Sequence, residues 1–182
     1  MKEIETKRLY LVHITEDHIA DIFAYAHEPN VGPNAGWEPH ATLEDSRKIA
    51  QEIFINQPNV FGIVLKESQN AQNETQKMIG SIGFLPDPRR QNSRVMMLGY
   101  AMSEKYWGQG IMTEAALPLI KNAFEELQVD LLTCTCYAQN ARSRRVIEKC
   151  GFSYEWCLRQ VEVRFDGVVF DLECFSLARP NK

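Results

Sequence analysis

Leu9, Leu11 and His13 alternate with Tyr10, Val12 and Ile14, the two-residue period of a strand with two different faces. Thr15 then reads as a helix N-cap, with Asp17 and His18 in the first turn and Ile19, Ile22, Phe23 and Ala26 at helical spacing. Residues 29–40 are rich in Gly, Pro and Asn and read as a loop. Thr42, with Asp45 three residues on, makes a variant capping box for a second helix with the apolar stripe Ile49, Ile53 and Phe54. Strands are expected over 60–66 and 78–85, joined by the polar run 67–77, which reads as a hairpin loop. A turn over 86–93 leads to a strand over 94–102. Residues 111–127 form a helix striped by Ala116, Leu119, Ile120, Ala123 and Phe124, with Pro118 bending it locally. A strand over 131–137 and a short helix over 140–150, capped by Asn140 and stopped by Gly151, come next. Two last strands, 152–164 and 168–177, flank an Asp166-Gly167 turn. The order predicts an α+β (mixed α/β) class with a largely antiparallel sheet.

The chain has 182 residues, enough for one hydrophobic core, and neither repeats nor linkers divide it, so 1–182 reads as a single domain. Twenty Lys and Arg against 24 Asp and Glu leave a net charge of −4, which disfavours a nucleic-acid partner. No apolar run reaches the ~18 residues of a membrane span, and the N-terminus lacks a signal-like apolar stretch, so no membrane association and a cytoplasmic location are expected. The five cysteines are odd in number and include no Cys-x-x-Cys pair, which points to buried free thiols; no metal is implied.

The chemistry concentrates in 99–113, GYAMSEKYWGQGIMT. A strand runs into a tight turn carrying Gly108 and Gly110, and the turn opens a helix. Unpaired N–H groups then converge at the positive end of the helix dipole, an anion site that suits a pyrophosphate. The missing side chain of glycine lets a phosphate reach the backbone. The run lacks the Gly-Lys-Ser/Thr ending of a Walker loop and does not match Gly-x-Gly-x-x-Gly, so it is not a nucleotide-binding loop of either kind. The second informative segment is 140–152, NARSRRVIEKCGF, one strand downstream.

Together these segments resemble the GNAT superfamily of N-acetyltransferases. The first is similar to its acyl-CoA pyrophosphate loop, Arg/Gln-x-x-Gly-x-Gly/Ala, and the second to its Asn-x-x-Ser…Lys-x-Gly-Phe helix along the pantetheine arm. Thr6-Lys7-Arg8-Leu9-Tyr10-Leu11, Thr15-Glu16-Asp17, Trp37 and Pro39 resemble the branch that holds the ribosomal-protein N-terminal acetyltransferases. The resemblance spans nearly the whole chain. It implies a GNAT-like fold: a central, largely antiparallel twisted sheet with helices on both faces and a splayed pair of strands that bind acyl-CoA. It also implies direct transfer of acetyl from acetyl-CoA to a primary amine, on a protein N-terminus or a small molecule, by a monomer or homodimer. The alternative is a non-catalytic acyl-CoA-binding sensor.

The resemblance puts Trp107, Gly108, Gln109, Gly110, Ile111, Met112 and Thr113 on the phosphate loop, with Trp107 at the usual Arg/Gln position and Met112 at the usual Gly/Ala position. Tyr100, Ala101 and Met102 fall where the splayed strand meets the pantetheine amides, and Gly99 reads as a bulge that opens the splay. Asn140 falls beside the pantetheine and thioester, or is simply an N-cap. Ser143 matches the branch's donor to the leaving thiolate, because the tyrosine of other members would fall near Cys150. Glu155 is the first candidate for general base, ahead of Glu114, Glu162 and Glu104, and Glu155→Gln is expected to flatten the acid limb of the pH–rate profile. Trp37, His40 and Phe84 are candidates for an acceptor pocket. Tyr106 and Trp107 either stack on the ligand or pack beneath the loop, and Arg142, Arg144 and Arg145 either meet the 3′-phosphate or form a solvated face. No cysteine carries the His and Asp neighbours of a nucleophile, which disfavours a covalent enzyme intermediate.

Overall fold

Alternation near the N-terminus divides side chains between the two faces of one sheet. In strand β2 (Leu9–His13), Leu9 and Leu11 are fully buried in one core cluster, while Tyr10 and Val12 pack on a second. The structure, a computed structural model, describes residues 1–66 and 77–180; most of the run read as a hairpin loop, 67–76, lies outside the described residues.

A two-residue strand β1 (Ile4–Glu5), absent from the sequence expectation, borders β2. Then come α1 (Ile19–Ala26), α2 (Val31–Ala35) and α3 (Leu43–Ile49), which widens into a π-helical turn over Ala50–Phe54. The Thr42–Asp45 capping box forms in both directions. Next are β3 (Val60–Leu65), β4 (Met78–Pro86), β5 (Val95–Met102), α4 (Ile111–Glu125), β6 (Leu131–Tyr137), α5 (Ala141–Lys149), β7 (Ser153–Val163) and β8 (Val169–Ala178). Helix α4 runs through Pro118 without interruption.

The eight strands form one sheet in the order β1-β2-β3-β4-β5-β6-β8-β7. Every neighbouring pair is antiparallel except β5–β6. One face carries α4 and α5, whose Leu119, Ala123 and Ile147 pack with Leu9, Phe61 and Phe84. The other carries α1 to α3, with Ile19, Ile22 and Tyr25 packed on Val60 and Val64. The largely antiparallel sheet with helices on both faces is that expected of a GNAT-like α+β fold.

The parallel pair is where the sheet opens. Strands β5 and β6 are in register from Val95↔Leu131 to Leu98↔Cys134 and then separate. Beyond that point β5 stays paired with β4 to Met102, and β6 with β8 to Tyr137. The mutual edges of 99–102 and 135–137 are left facing one another across a gap. Gly99 is not a bulge: it sits in regular register opposite Gly83. The splay arises because each strand keeps its outer partner while the shared twist carries the two apart.

No helix among the described residues is long and apolar enough to cross a membrane.

Candidate active site

Directly after β5 the chain makes a 3-10 turn over Glu104–Tyr106 and enters the glycine loop. Gly108 and Gly110 have φ of +75° and +74°, a region that L side chains resist. A Cβ at Gly108 would meet nothing within 4 Å, so conformation and not crowding demands glycine there. Gly110 is the N-cap of α4 and has no side chain to cap the helix. The N–H groups of Ile111, Met112 and Thr113 therefore have neither an intrahelical carbonyl nor a cap, and they point at the cleft. This arrangement fits a pyrophosphate and is built from backbone, so Met112 in place of a small residue leaves it intact.

Two braces hold the loop. Trp107 donates Nε1–H to the Met102 carbonyl (2.7 Å) and packs partly buried against both core clusters, as Tyr106 does against one. Both aromatics pack beneath the loop while also lining the cleft. The second brace comes from the N-terminus: Thr6 Oγ1 and the Arg8 N–H donate to Glu114 Oε1 (2.7 and 2.8 Å), and Arg8 Nε donates to Oε2 (2.6 Å). Arg8 also reaches the Gln109 carbonyl (3.2 Å). Burial pushes the Glu114 carboxyl up, but the hydrogen bonds from Thr6 and Arg8 and the arginine charge together hold it below its usual range.

Across the cleft, Asn140 caps α5: its Oδ1 accepts from the Ser143 N–H (3.1 Å) while its Nδ2 donates to the Asn34 carbonyl (3.3 Å). It is thus both a cap and a tie to α2. Ser143 Oγ lies 2.7 Å from the Tyr100 hydroxyl. Arg142, Arg145 and Lys149 share the cleft-facing side of α5, whereas Arg144 turns away to Glu148 (3.0 Å) and Glu173 (2.9 Å). The spacing 142, 145 and 149 is one helical face, a signal that the sequence carries. The Arg142 guanidinium stands 5.3 Å from the Trp107 ring.

These walls bound a cleft of about 330 Å³ that runs from the glycine loop through the splay to α2, where Val31, Asn34 and Ala35 line it. It gathers Tyr100, Ala101, Met102, Trp107, Gly108, Gly110, Ile111, Met112, Thr113, Asn140 and Ser143. It does not gather Gln109, whose Nε2 turns out to the Lys105 carbonyl (2.8 Å). Phe84 is 2% exposed in the core on the α4 side, so it is not an acceptor contact. Trp37 and His40 pack on each other at 5.2 Å behind α2, outside the cleft lining. His40 Nδ1 bonds the buried Ser46 hydroxyl (2.7 Å), and burial lowers the imidazole pKa. Residues 31–35, expected in a loop, form α2: Pro33 falls in the first turn, where its missing N–H is not needed.

The carboxylates named as candidate bases are held in ion pairs or hydrogen bonds. Glu155 pairs with Arg90, which also approaches Asp87 (3.5 Å), on the far side of β8 from the splay. Glu162 pairs with Arg89 (2.9 Å), and Glu104 accepts from Asn30 N and Nδ2 at the cleft rim (3.2 and 3.0 Å). Among the described residues no Asp, Glu or His lines the main cleft. Burial raises the Cys150 thiol to about 11 and the Cys136 thiol to about 12, so neither supplies a thiolate at neutral pH.

The acetyltransferase (GNAT) domain family matches residues 8–153. An N-acetyltransferase of Bacillus subtilis, YoaA, is 27% identical over 184 aligned residues, covering 98% of both chains. The ribosomal-protein-serine acetyltransferase of Escherichia coli is 28% identical over 128 residues, 68% of this chain and 65% of that one. Among solved structures, the microcin C7 self-immunity acetyltransferase MccE, in complex with acetyl-CoA and AMP, superposes with a TM-score of 0.78 at 20% identity, over 95% of this chain and 93% of that one. A family match of that extent, on the fold those enzymes share, means that the chain belongs to the GNAT acetyltransferases, enzymes that use acetyl-CoA.

Proposed function

We propose that the protein transfers acetyl directly from acetyl-CoA to a primary amine, either a protein N-terminus or a small molecule. The observation that carries this reading is the single cleft that joins an uncapped helix start to the gap between β5 and β6 and continues to α2 on the opposite face. Its glycine-loop end suits a pyrophosphate, and the unpaired edge of 99–102 suits the pantetheine amides. Arg142, Arg145 and Lys149 supply positive charge for the remaining phosphate. The amine enters from the α2 side and attacks the thioester carbon; the carbon–sulfur bond breaks, and Ser143 donates to the leaving sulfur. No enzyme nucleophile intervenes.

With no Asp, Glu or His among the described residues that line the cleft, the amine reacts in the neutral form it already holds in solution. The acid limb of kcat/KM then follows the acceptor, and it moves up by about two and a half pH units between an α-amino group and a lysine-like amine. A limb that stays fixed would identify an enzyme base.

The direct test is thiol release from acetyl-CoA against a panel of amines and N-terminal peptides, beside calorimetric titration with acetyl-CoA alone. The E. coli relative's name makes ribosomal N-terminal peptides part of that panel. Turnover with one acceptor class is expected. Tight binding without turnover on any acceptor would favour a sensor, and absence of binding would overturn the phosphate-loop assignment.

A further inference from the structure

Tyr100 leaves β5 on the α5 side of the sheet, and its phenol ends under the first turn of α5. The hydroxyl donates toward the Ser143 carbonyl at 3.2 Å and lies 2.7 Å from Ser143 Oγ. Among the described residues these two atoms are its hydrogen-bond partners. Its surroundings are the buried thiols Cys134, Cys136 and Cys150.

A phenol has one proton to give. If that proton goes to the Ser143 carbonyl, the short contact to Oγ requires Ser143 to donate its own proton to Tyr100, and none faces the cleft. If the phenol donates to Oγ instead, the serine proton is free. We propose that Tyr100 is a positioning residue that acts through Ser143: its hydroxyl donates to Oγ, which holds the serine proton toward the cleft and stabilises the negative charge that builds on Oγ as that proton passes to the leaving sulfur. This inference rests on the acetyl-transfer reading above and deepens it.

The protons balance within the reaction. The new nitrogen–carbon bond forms as the carbon–sulfur pair passes to sulfur, sulfur takes the Ser143 proton, and Oγ is reprotonated by the proton that the amide nitrogen sheds. Tyr100 keeps its proton throughout. Burial above all, reinforced by the neighbouring thiols and opposed by the Ser143 hydrogen bond, holds the phenol well above its ordinary range, so it remains a donor at any working pH.

Tyr100→Phe removes the hydroxyl and keeps the ring. Expected is a loss of about tenfold or more in kcat, with KM for acetyl-CoA changed by less than about twofold, the signature of a donor needed as charge develops. The same change made in Ser143→Ala should cost nothing further, because the tyrosine then has nothing to act through. If the two losses multiply, or if Tyr100→Phe alters only KM or thermal stability, the hydroxyl is structural and the proposal falls. If Ser143→Ala leaves kcat intact, the serine's own role fails, and the relay with it; if Ser143→Ala is costly while Tyr100→Phe is silent, the relay alone fails. A readout independent of any acceptor is the ultraviolet titration of the thiol of bound CoA. Its midpoint should rise by about one pH unit in Tyr100→Phe relative to the unaltered protein. An unchanged midpoint would overturn the proposal even if no acceptor has been found.

Discussion

On the α4 and α5 side of the cleft, the lining groups come from two short stretches, 108–113 and 140–149, and the phosphate contacts proposed above are mostly backbone N–H groups. On the α2 side, by contrast, the wall is held by contacts from distant parts of the chain. Asn140 ties down the Asn34 carbonyl, and Arg164 of the β7–β8 turn donates to the Pro33 carbonyl (3.3 Å). Tyr137 stacks on Phe170 at 4.6 Å, and its hydroxyl lies 3.1 Å from where a Cβ on Gly36 would stand. A backbone site tolerates unusual side chains, such as Trp107 and Met112, so long as the φ angles persist. A wall of long-range side-chain contacts changes with each residue, so under the proposed function acceptor preference is expected on the α2 side.

The contrast can be broken experimentally, most forcefully at Gly108. Gly108→Val forces an L residue into φ of +75°, at a cost of about 1–2 kcal/mol, and sets a branched side chain among the N–H groups. The affinity for acetyl-CoA should fall at least about tenfold with every acceptor; unchanged calorimetric binding would mean that the loop does not meet the phosphates. Next in size is the brace. Arg8→Ala leaves the part-buried Glu114 without its charge partner and should lower stability by about 1–3 kcal/mol while weakening acetyl-CoA binding several-fold. Because the Glu114 carboxyl is held below its usual range, its contribution is complete above the ordinary carboxylate pKa and is lost as pH falls through the lowered folded value. Glu114→Gln should therefore destabilise most at neutral pH, with the gap to the unaltered protein narrowing in acid denaturation; a constant gap would deny the lowered pKa.

Smaller effects separate the arginines. Arg142→Ala should weaken acetyl-CoA binding about threefold to tenfold and flatten its salt dependence, whereas Arg144→Ala, which breaks the ties to Glu148 and Glu173, should change melting temperature only. Equal loss of binding in both would show that neither is specifically aimed. The smallest change is expected from Arg164→Ala, which frees the turn from Pro33: KM for the amine should shift about twofold to threefold while that for acetyl-CoA stays constant. A shift in the acetyl-CoA value instead would erase the distinction between the two walls.

Much of the wall formed by α4 and α5 was legible because it is local. Gly108 and Gly110 before an apolar helix specify the turn, Asn140 three residues before Ser143 specifies a cap, and both form. The α2 wall was not legible for the converse reason. Gly32, Pro33 and Asn34 disfavour a helix taken alone, yet α2 forms where Trp37 closes over Gly32, with the Trp37 carbonyl only 2.6 Å from where a Cβ would stand. Phe84 misled because β4 is covered on both faces, so an aromatic there faces core whichever way it points. Glu155 misled because its partner, Arg90, lies 65 residues away.

By itself, then, the sequence determined where the chain would turn, cap and expose N–H groups to an anion, since those depend on φ angles and on neighbours within one helical turn. Only the tertiary structure decided which charges are free and which are spent. It turns Arg142 and Arg145 to the cleft and Arg144 to Glu173, it closes Glu114 under Arg8, and it sets the Tyr100 hydroxyl against Ser143. Such pairings span long stretches of chain, 106 residues between Arg8 and Glu114, and a hydrogen bond needs its two atoms within about 3 Å, a condition that packing between elements alone can meet.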